Sequence, residues 1–166
     1  MARTFLALGS NLGDRIEFLR CAVKFLPGSV RCSRVYETDP VDATQGSGPF
    51  LNAVVELDFE PEPSQLLGLV TRLERRANRV RSELNGPRTL DVDVVFVEGM
   101  VSRDGGMTVP HPRCNERAFV IAPLYDLDPG LAQTLNPEMC RLIGDAIDRD
   151  DAEVYPGVVV WGETIC

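Results

Sequence analysis

Ten residues constrain this chain more than any others: RTLDVDVVFV, Arg88 to Val97. Side chains alternate along a strand, so Asp91, Asp93, Val95 and Val97 are expected on one face and Val92, Val94 and Phe96 on the other. Both faces are largely apolar. Such a strand is predicted to be central in its sheet and covered on each side by helices. An unpaired carboxylate buried there costs several kcal/mol, so the two aspartates need partners. One reading sets them at the exposed mouth of the strand, paired with Arg88 or another arginine. The other gives them a divalent cation, because two hard oxygen ligands at i and i+2 suit Mg²⁺ held by carboxylates and substrate phosphates.

The segments around this strand set the fold class. An apolar run, FLALG, precedes an Asp14-x-x-Glu17 capping signature and an amphipathic stretch with Ile16, Leu19, Val23 and Leu26 at helical spacing. Pro27-Gly28 ends that helix. VRCSRVYETD then reads as a strand, and PFLNAVVELDFE as a second one antiparallel to it. PEPSQLLGLVTRLERRANRV predicts a helix starting near Ser64, with Leu66, Leu69, Val70, Leu73, Ala77 and Val80 as its buried stripe. The order strand, helix, strand, strand, helix, strand is the βαββαβ pattern of a ferredoxin-like α+β sandwich. Beyond it are expected a short hairpin at Glu98-Gly99, helices around Glu116 to Leu127 and Pro137 to Ile147, and a terminal strand in VVVW. With 166 residues, 44% of them hydrophobic, there is material for one well-packed domain over 1–166 and hardly for two.

A net charge of −8 argues against nucleic-acid or acidic-membrane partners. No apolar run approaches the ~20 residues of a membrane span, and the first residues lack the pattern of a signal peptide. A cytoplasmic monomer acting on small molecules is expected. The cysteines, Cys21, Cys32, Cys114, Cys140 and Cys166, are odd in number, scattered and without a CxxC pair, and are read as free thiols.

Basic residues are unevenly spread. Arg72, Arg75, Arg76, Arg79, Arg81 and Arg88 crowd the approach to the aspartate strand, and a cluster of guanidinium forks suits a compact polyphosphate. For Arg72, Arg75 and Arg76 a solvated helix face is an equally open reading. The loops DATQGSGP and SELNGP, rich in small and turn-forming residues, are candidate lids. No G-x-x-x-x-G-K-[ST] and no strand-borne G-x-G-x-x-G occurs, which sets aside the P-loop and Rossmann classes. LGSN, Leu8 to Asn11, either presents amide groups at the sheet edge or forms a helix-capping turn. His111, the single histidine, lies in TVPHP, where flanking proline restricts the backbone; it is either structural or placed to meet a phosphate.

Taken in order, LGSNLGDR, YETDPV, FLNAVVEL, LERRANRVR, NGPRTLDVDV and TVPHPRCNERAFVIAPL resemble the 6-hydroxymethyl-7,8-dihydropterin pyrophosphokinases, from Phe5 to about Pro129. These enzymes move a diphosphate from ATP to a pterin alcohol. The resemblance implies that Asp91 and Asp93 hold two Mg²⁺ ions that bridge the ATP phosphates. It implies an ATP site of Glu74, Arg79, Arg88, His111 and Arg117. Arg79 and Arg88, with the aspartates, are its catalytic candidates. Thr38, Val41, Phe50, Asn52 and Phe119 would take the pterin. A flat heteroaromatic ring suits aromatic neighbours and an amide that reads its edge, although both phenylalanines would also serve as plain core. The chain departs from some members of that family at Asp39 (Pro there), Asn85 (Trp), Gly106 (a basic residue) and Asn115 (His or Lys). The tail from Gly130 onward is read as structural.

Such a transfer asks a protein mainly for positioning and charge neutralisation. A metal-dependent nucleotidyltransferase would also combine a Gly-Ser turn with an Asp-x-Asp strand, but there the two lie close together. Here Gly9-Ser10 and Asp91 belong to different halves of the chain. A ferredoxin-like binding module whose charges form only surface ion pairs would show no metal-dependent ATP turnover.

Overall fold

A computed structural model of the chain describes residues 2–41, 47–80, 86–103 and 106–166. Its first element, β1 (Arg3–Ser10), pairs antiparallel on one side with β4 (Phe50–Asp58) and on the other with β5 (Asp91–Val97). On the far side of β4 lie β2 (Val30–Cys32) and β3 (Tyr36–Thr38), both antiparallel to it. This is the sheet that a βαββαβ chain builds, and the ferredoxin-like α+β expectation holds.

The stretch read as a single second strand is interrupted once. Cys32 faces Val55 and Tyr36 faces Asn52, so four steps on one side oppose three on the other, which is a one-residue bulge. Ser33 closes it: its N–H donates to the Val54 carbonyl and its Oγ accepts the Val54 N–H, both at 2.9 Å.

Helix α1 (Arg15–Lys24) starts where the sequence signals, with Asp14 accepting the Glu17 N–H at 3.3 Å. Asp14, and not LGSN, is therefore the cap. Helix α2 (Pro63–Arg76) starts next to Ser64, as expected, with Glu62 as its N-cap; Pro63 takes the first turn, and the Gln65 side chain accepts the Glu62 N–H at 2.8 Å. Leu66, Leu69, Leu73 and Ala77 are buried as expected, whereas Val80 is 74% exposed because the helix has already ended at Ala77 and Asn78 turns left-handed, φ 53°.

Helices α1 and α2 cover one face of the sheet, over Leu6, Leu8, Val55, Val92 and Val94. The other face is covered by α3 (Ala118–Leu127) and α5 (Pro137–Asp148), with α4 (Pro129–Leu135) between them, over Phe5, Tyr36, Val54 and Val95. Asp128 and Asn136 cap α4 and α5. Strands β6 (Glu153–Tyr155) and β7 (Val158–Val160) form a hairpin that extends the sheet beyond β3. The tail thus completes the third layer that α3 begins and adds two further strands.

Three expectations are corrected. The aspartate strand β5 is not central: it lies at the sheet edge, and β4, buried on both faces, holds the interior position. The outer edge of β5 is covered by other means, since the Val92 N–H donates to Glu74 Oε1 at 3.2 Å and the Val95 carbonyl accepts the His111 N–H at 3.0 Å. Alternation along β5 also breaks. A register shift opposite Phe5 and Leu6 leaves Val95 without a partner residue, so Phe96 joins the Phe5 side and Val97 joins the core beneath α1 and α2. Finally, Cys32 and Cys166 are disulfide-bonded, with Cα atoms 5.8 Å apart, while Cys21, Cys114 and Cys140 are free. Ile165 packs into the core beneath α1 and α2 and brings the last residue back to β2, a return across 134 positions that spacing does not reveal.

The predicted turn at Glu98-Gly99 is present, with Gly99 at φ 75°, but among the described residues the pairing that follows is a single bridge between Ser102 and Val109. Residues 42–46 and 82–85 of the two candidate lids, with the departure at Asn85, lie outside the described residues.

Candidate active site

The site forms at one end of the sheet, where Asp91, Gly9 and Asn52 face one another across β5, β1 and β4 and Ala7 stands opposite Asp93. Between the aspartates and Asn52 the floor is Ala7, Leu8 and Gly9 of β1, and a cavity opens there. Gly9 is required by that contact: a Cβ on it would come within 2.7 Å of Asn52 Oδ1. Asn52 itself is buried and donates Nδ2 to Thr38 Oγ1 at 2.6 Å. Phe50, Val41 and Phe119 complete the walls, so every residue expected to take the pterin lines this one cavity.

A second, wider cavity lies on the α2 side of the aspartates, lined by Glu74, Arg79, His111 and Thr108 among others. All five residues expected at the ATP site line it. Arg88, Asp91, Asp93 and Arg117 belong to both cavities and form their shared wall.

That wall is densely charged. Arg79 Nη1 meets Glu74 Oε1 and, at 2.6 Å, Asp91 Oδ1; Arg88 Nη1 reaches Asp91 Oδ2 at 3.0 Å. The ion-pair reading of Asp91 is therefore realised. Asp93 is held more loosely, 3.4 Å from Arg117 Nη1 and 4.0 Å from His111 Nε2. Desolvation first and the neighbouring Asp91 charge second push its carboxyl up to about 6, against the pull of Arg117. Burial and Arg117 hold His111 below the usual histidine range. His111 Nδ1 accepts the Arg113 N–H at 3.2 Å, which leaves the proton on Nε2, turned toward Asp93.

These groups fit a divalent cation. Asp91 and Asp93 offer hard anionic oxygens on one side of the strand, and the raised Asp93 marks negative charge that a cation would relieve. Among the described residues no third acidic or histidine side chain joins them in a metal-holding cluster. The remaining positions would fall to phosphate and water oxygens, as Mg²⁺ favours.

Beyond the expected sets the smaller cavity takes Leu8 and Gly9 of the LGSN turn and Asp39 of the departures; sequence reasoning missed Ala7 and Arg113 there and Leu67, Val70, Met107 and Thr108 on the larger. Arg113 was legible as the basic residue between His111 and Arg117; Leu67 lies outside the buried stripe for which its helix was read, and Val70 was assigned to that stripe as core. Of the departures, Gly106 lines the larger cavity with open space around it, and the Asp39 N–H donates to the Gly157 carbonyl at 3.0 Å, a bond proline could not make. Asn115 lies in a 3-10 turn, Cys114–Glu116, where its carbonyl accepts from Asn136 Nδ2 at 2.8 Å.

The sequence profile of the 7,8-dihydro-6-hydroxymethylpterin-pyrophosphokinases matches residues 5–129. The chain belongs to this family. Relatives named 2-amino-4-hydroxy-6-hydroxymethyldihydropteridine pyrophosphokinase include one from Methylorubrum extorquens, 38% identical over 90% of this chain and 99% of its own length. Others are from Bacillus subtilis, 39% identical over 74% of this chain and 76% of the relative, and Mycobacterium tuberculosis, 40% identical over 93% and 90%. The activity of this pyrophosphokinase family member belongs to folate biosynthesis. A solved structure of wild-type HPPK-DHPS from Plasmodium falciparum, with pterin and p-hydroxybenzoate, shares the fold at a TM-score of 0.65 and 12% identity. It covers 95% of this chain, which spans about half of that longer one, 46%. No helix among the described residues is long and apolar enough to cross a membrane.

Proposed function

We propose that this pyrophosphokinase transfers the terminal diphosphate of ATP to the hydroxymethyl oxygen of a dihydropterin in a Mg²⁺-dependent reaction that releases AMP. The observation that supports it best is the shared wall: Arg88, Asp91, Asp93 and Arg117 border both cavities, so a group held in one lies next to the other.

Asp91 and Asp93 would hold two Mg²⁺ ions, which when bound neutralise phosphate charge and act as Lewis acids. The chain's own groups do the rest. Phe50 and Phe119 border the ring, and Asn52, whose Nδ2 is engaged by Thr38, keeps Oδ1 to accept from the ring's N–H edge. Val41 closes the outer rim. Arg79 and Arg88 release Asp91 as phosphate arrives and stabilise negative charge spreading over the transferring group. His111 offers Nε2–H to a phosphate oxygen, and Arg117 meets the same anion from the smaller cavity. Glu74 acts on the nucleotide chiefly by holding Arg79. The chain works as a cytoplasmic monomer on small molecules alone.

The test is incubation with ATP, Mg²⁺ and the pterin alcohol, followed by nucleotide separation. AMP is expected in step with product and only with the divalent ion. ADP as the sole nucleotide product, or equal turnover in chelator, overturns the reading.

A further inference from the structure

We infer that Asn11 is a positioning residue that couples the two halves of this site, so that nucleotide on the arginine side tightens the ring pocket on the other. The inference rests on the functional reading above. Antiparallel pairing of β1 with β5 ends at Gly9 and Asp91. Two residues further along, Asn11 continues it with its side chain. The Asn11 N–H donates to the Arg88 carbonyl at 3.1 Å, and the Arg88 N–H donates back to Asn11 Oδ1 at 2.8 Å. The Arg88 backbone is thereby held on both sides, and its guanidinium projects to Asp91. The other end of the amide is also engaged: Asn11 Nδ2 donates to the Gly48 carbonyl at 3.3 Å, two residues before the pocket wall Phe50.

A carboxamide is the one side chain of this size with an acceptor and a donor fixed at opposite ends. Asn11 uses both, and it is only 9% exposed, so water does not readily replace either bond. When Arg88 turns from Asp91 toward a phosphate, any shift of its backbone is passed through Oδ1 and Nδ2 to Gly48 and on to Phe50. Asn11→Asp separates the two bonds: it keeps an acceptor for the Arg88 N–H and sets a carboxylate oxygen against the Gly48 carbonyl. Asn11→Ala removes both.

The experiment measures the Kd of the pterin alcohol for wild type, Asn11→Ala and Asn11→Asp, with and without Mg²⁺ and a non-hydrolysable ATP analogue, beside kcat and melting temperature. Wild type is expected to bind pterin more tightly with the analogue. In both variants that ratio falls about tenfold, while the Kd for each ligand alone moves far less. Turnover falls about a hundredfold in Asn11→Ala, because Arg88 is misplaced, and less in Asn11→Asp. If Asn11→Ala does not fold, Asn11→Asp carries the test. Folded variants with the wild-type ratio overturn the inference, as does a lower melting temperature with both affinities weakened equally. A wild type with no coupling between ligands overturns it too while AMP formation stands; a wild type that forms no AMP removes the functional reading beneath it.

Discussion

Glu74 Oε1 accepts the backbone N–H of Val92 at 3.2 Å while the same oxygen holds Arg79. One carboxylate thus seals the free edge of β5 and orients a cation beside Asp91.

Removing that charge tests both tasks together. Glu74→Gln keeps the size of the side chain but faces Arg79 with a neutral amide, and is expected to lower stability by about 1–3 kcal/mol in urea unfolding. If Glu74 acts by holding Arg79, kcat falls while nucleotide affinity moves little; a loss confined to nucleotide Kd would make it a direct ligand.

Arg88→Ala separates transition-state from ground-state roles. The expected outcome is a fall in kcat of about a thousandfold or more, with a much smaller change in the Kd of a non-hydrolysable ATP analogue. Equal losses in both would show Arg88 to be an anchor for bound ATP.

Asp93 carries a pH signature in metal-free protein. Its folded value, about 6, lies above the ordinary 3.8, so the folded state binds the proton more tightly than the unfolded chain. The stability this proton confers is full below pH about 4 and is lost as pH rises through about 6. Asp93→Asn lacks the titration. Its melting temperature should match or exceed wild type above pH 6, by a few degrees, with the gap narrowing toward pH 4. Turnover should collapse in the same variant. A variant that melts lower at pH 7 would mark Asp93 as a structural partner of Arg117.

Denatured without reductant, the oxidised protein should show three reactive thiols, and five after reduction, following the Cys32–Cys166 bond. Closing so long a loop is worth about 3–5 kcal/mol in the chain-entropy account, so Cys166→Ser should lower the melting temperature of oxidised protein and leave that of reduced protein nearly unchanged.

Much of this was legible before any coordinates. Period and punctuation located β1, α1, α2 and β5, and the grouping of Arg79, Arg88, Asp91, His111 and Arg117 came from the resemblance to the pyrophosphokinases. What escaped was long-range. Burial on both faces was read as a central strand, yet an edge strand reaches the same burial when a glutamate and a proline-flanked loop cover it. The tail's hairpin beside Thr38 and the cysteine pairing depend on chain ends meeting in space, which local pattern does not encode. For LGSN the sequence left two readings level, an amide at the sheet edge or a capping turn; Asp14 takes the cap, and the Asn11 amide meets Arg88.

The unpartnered Val95 has a consequence for how β5 tolerates change. Upstream of it the odd-numbered side chains look toward the site; downstream the even-numbered ones take that side, and Phe96 sits 6.3 Å from Phe5. The extra residue works as a phase shifter between two halves of one strand. Deleting Val95 would set Phe96 directly after Val94, in unbroken register with Phe5 and Leu6, and keep every other side chain of β5 on its face; the loss would be the Val95 side chain in the core and the carbonyl that accepts the His111 N–H. A residue inserted between Asp91 and Val94 is different, for it would need a bulge of its own to keep both carboxylates on the site face, so β5 tolerates a change of length at Val95 and not among its aspartates.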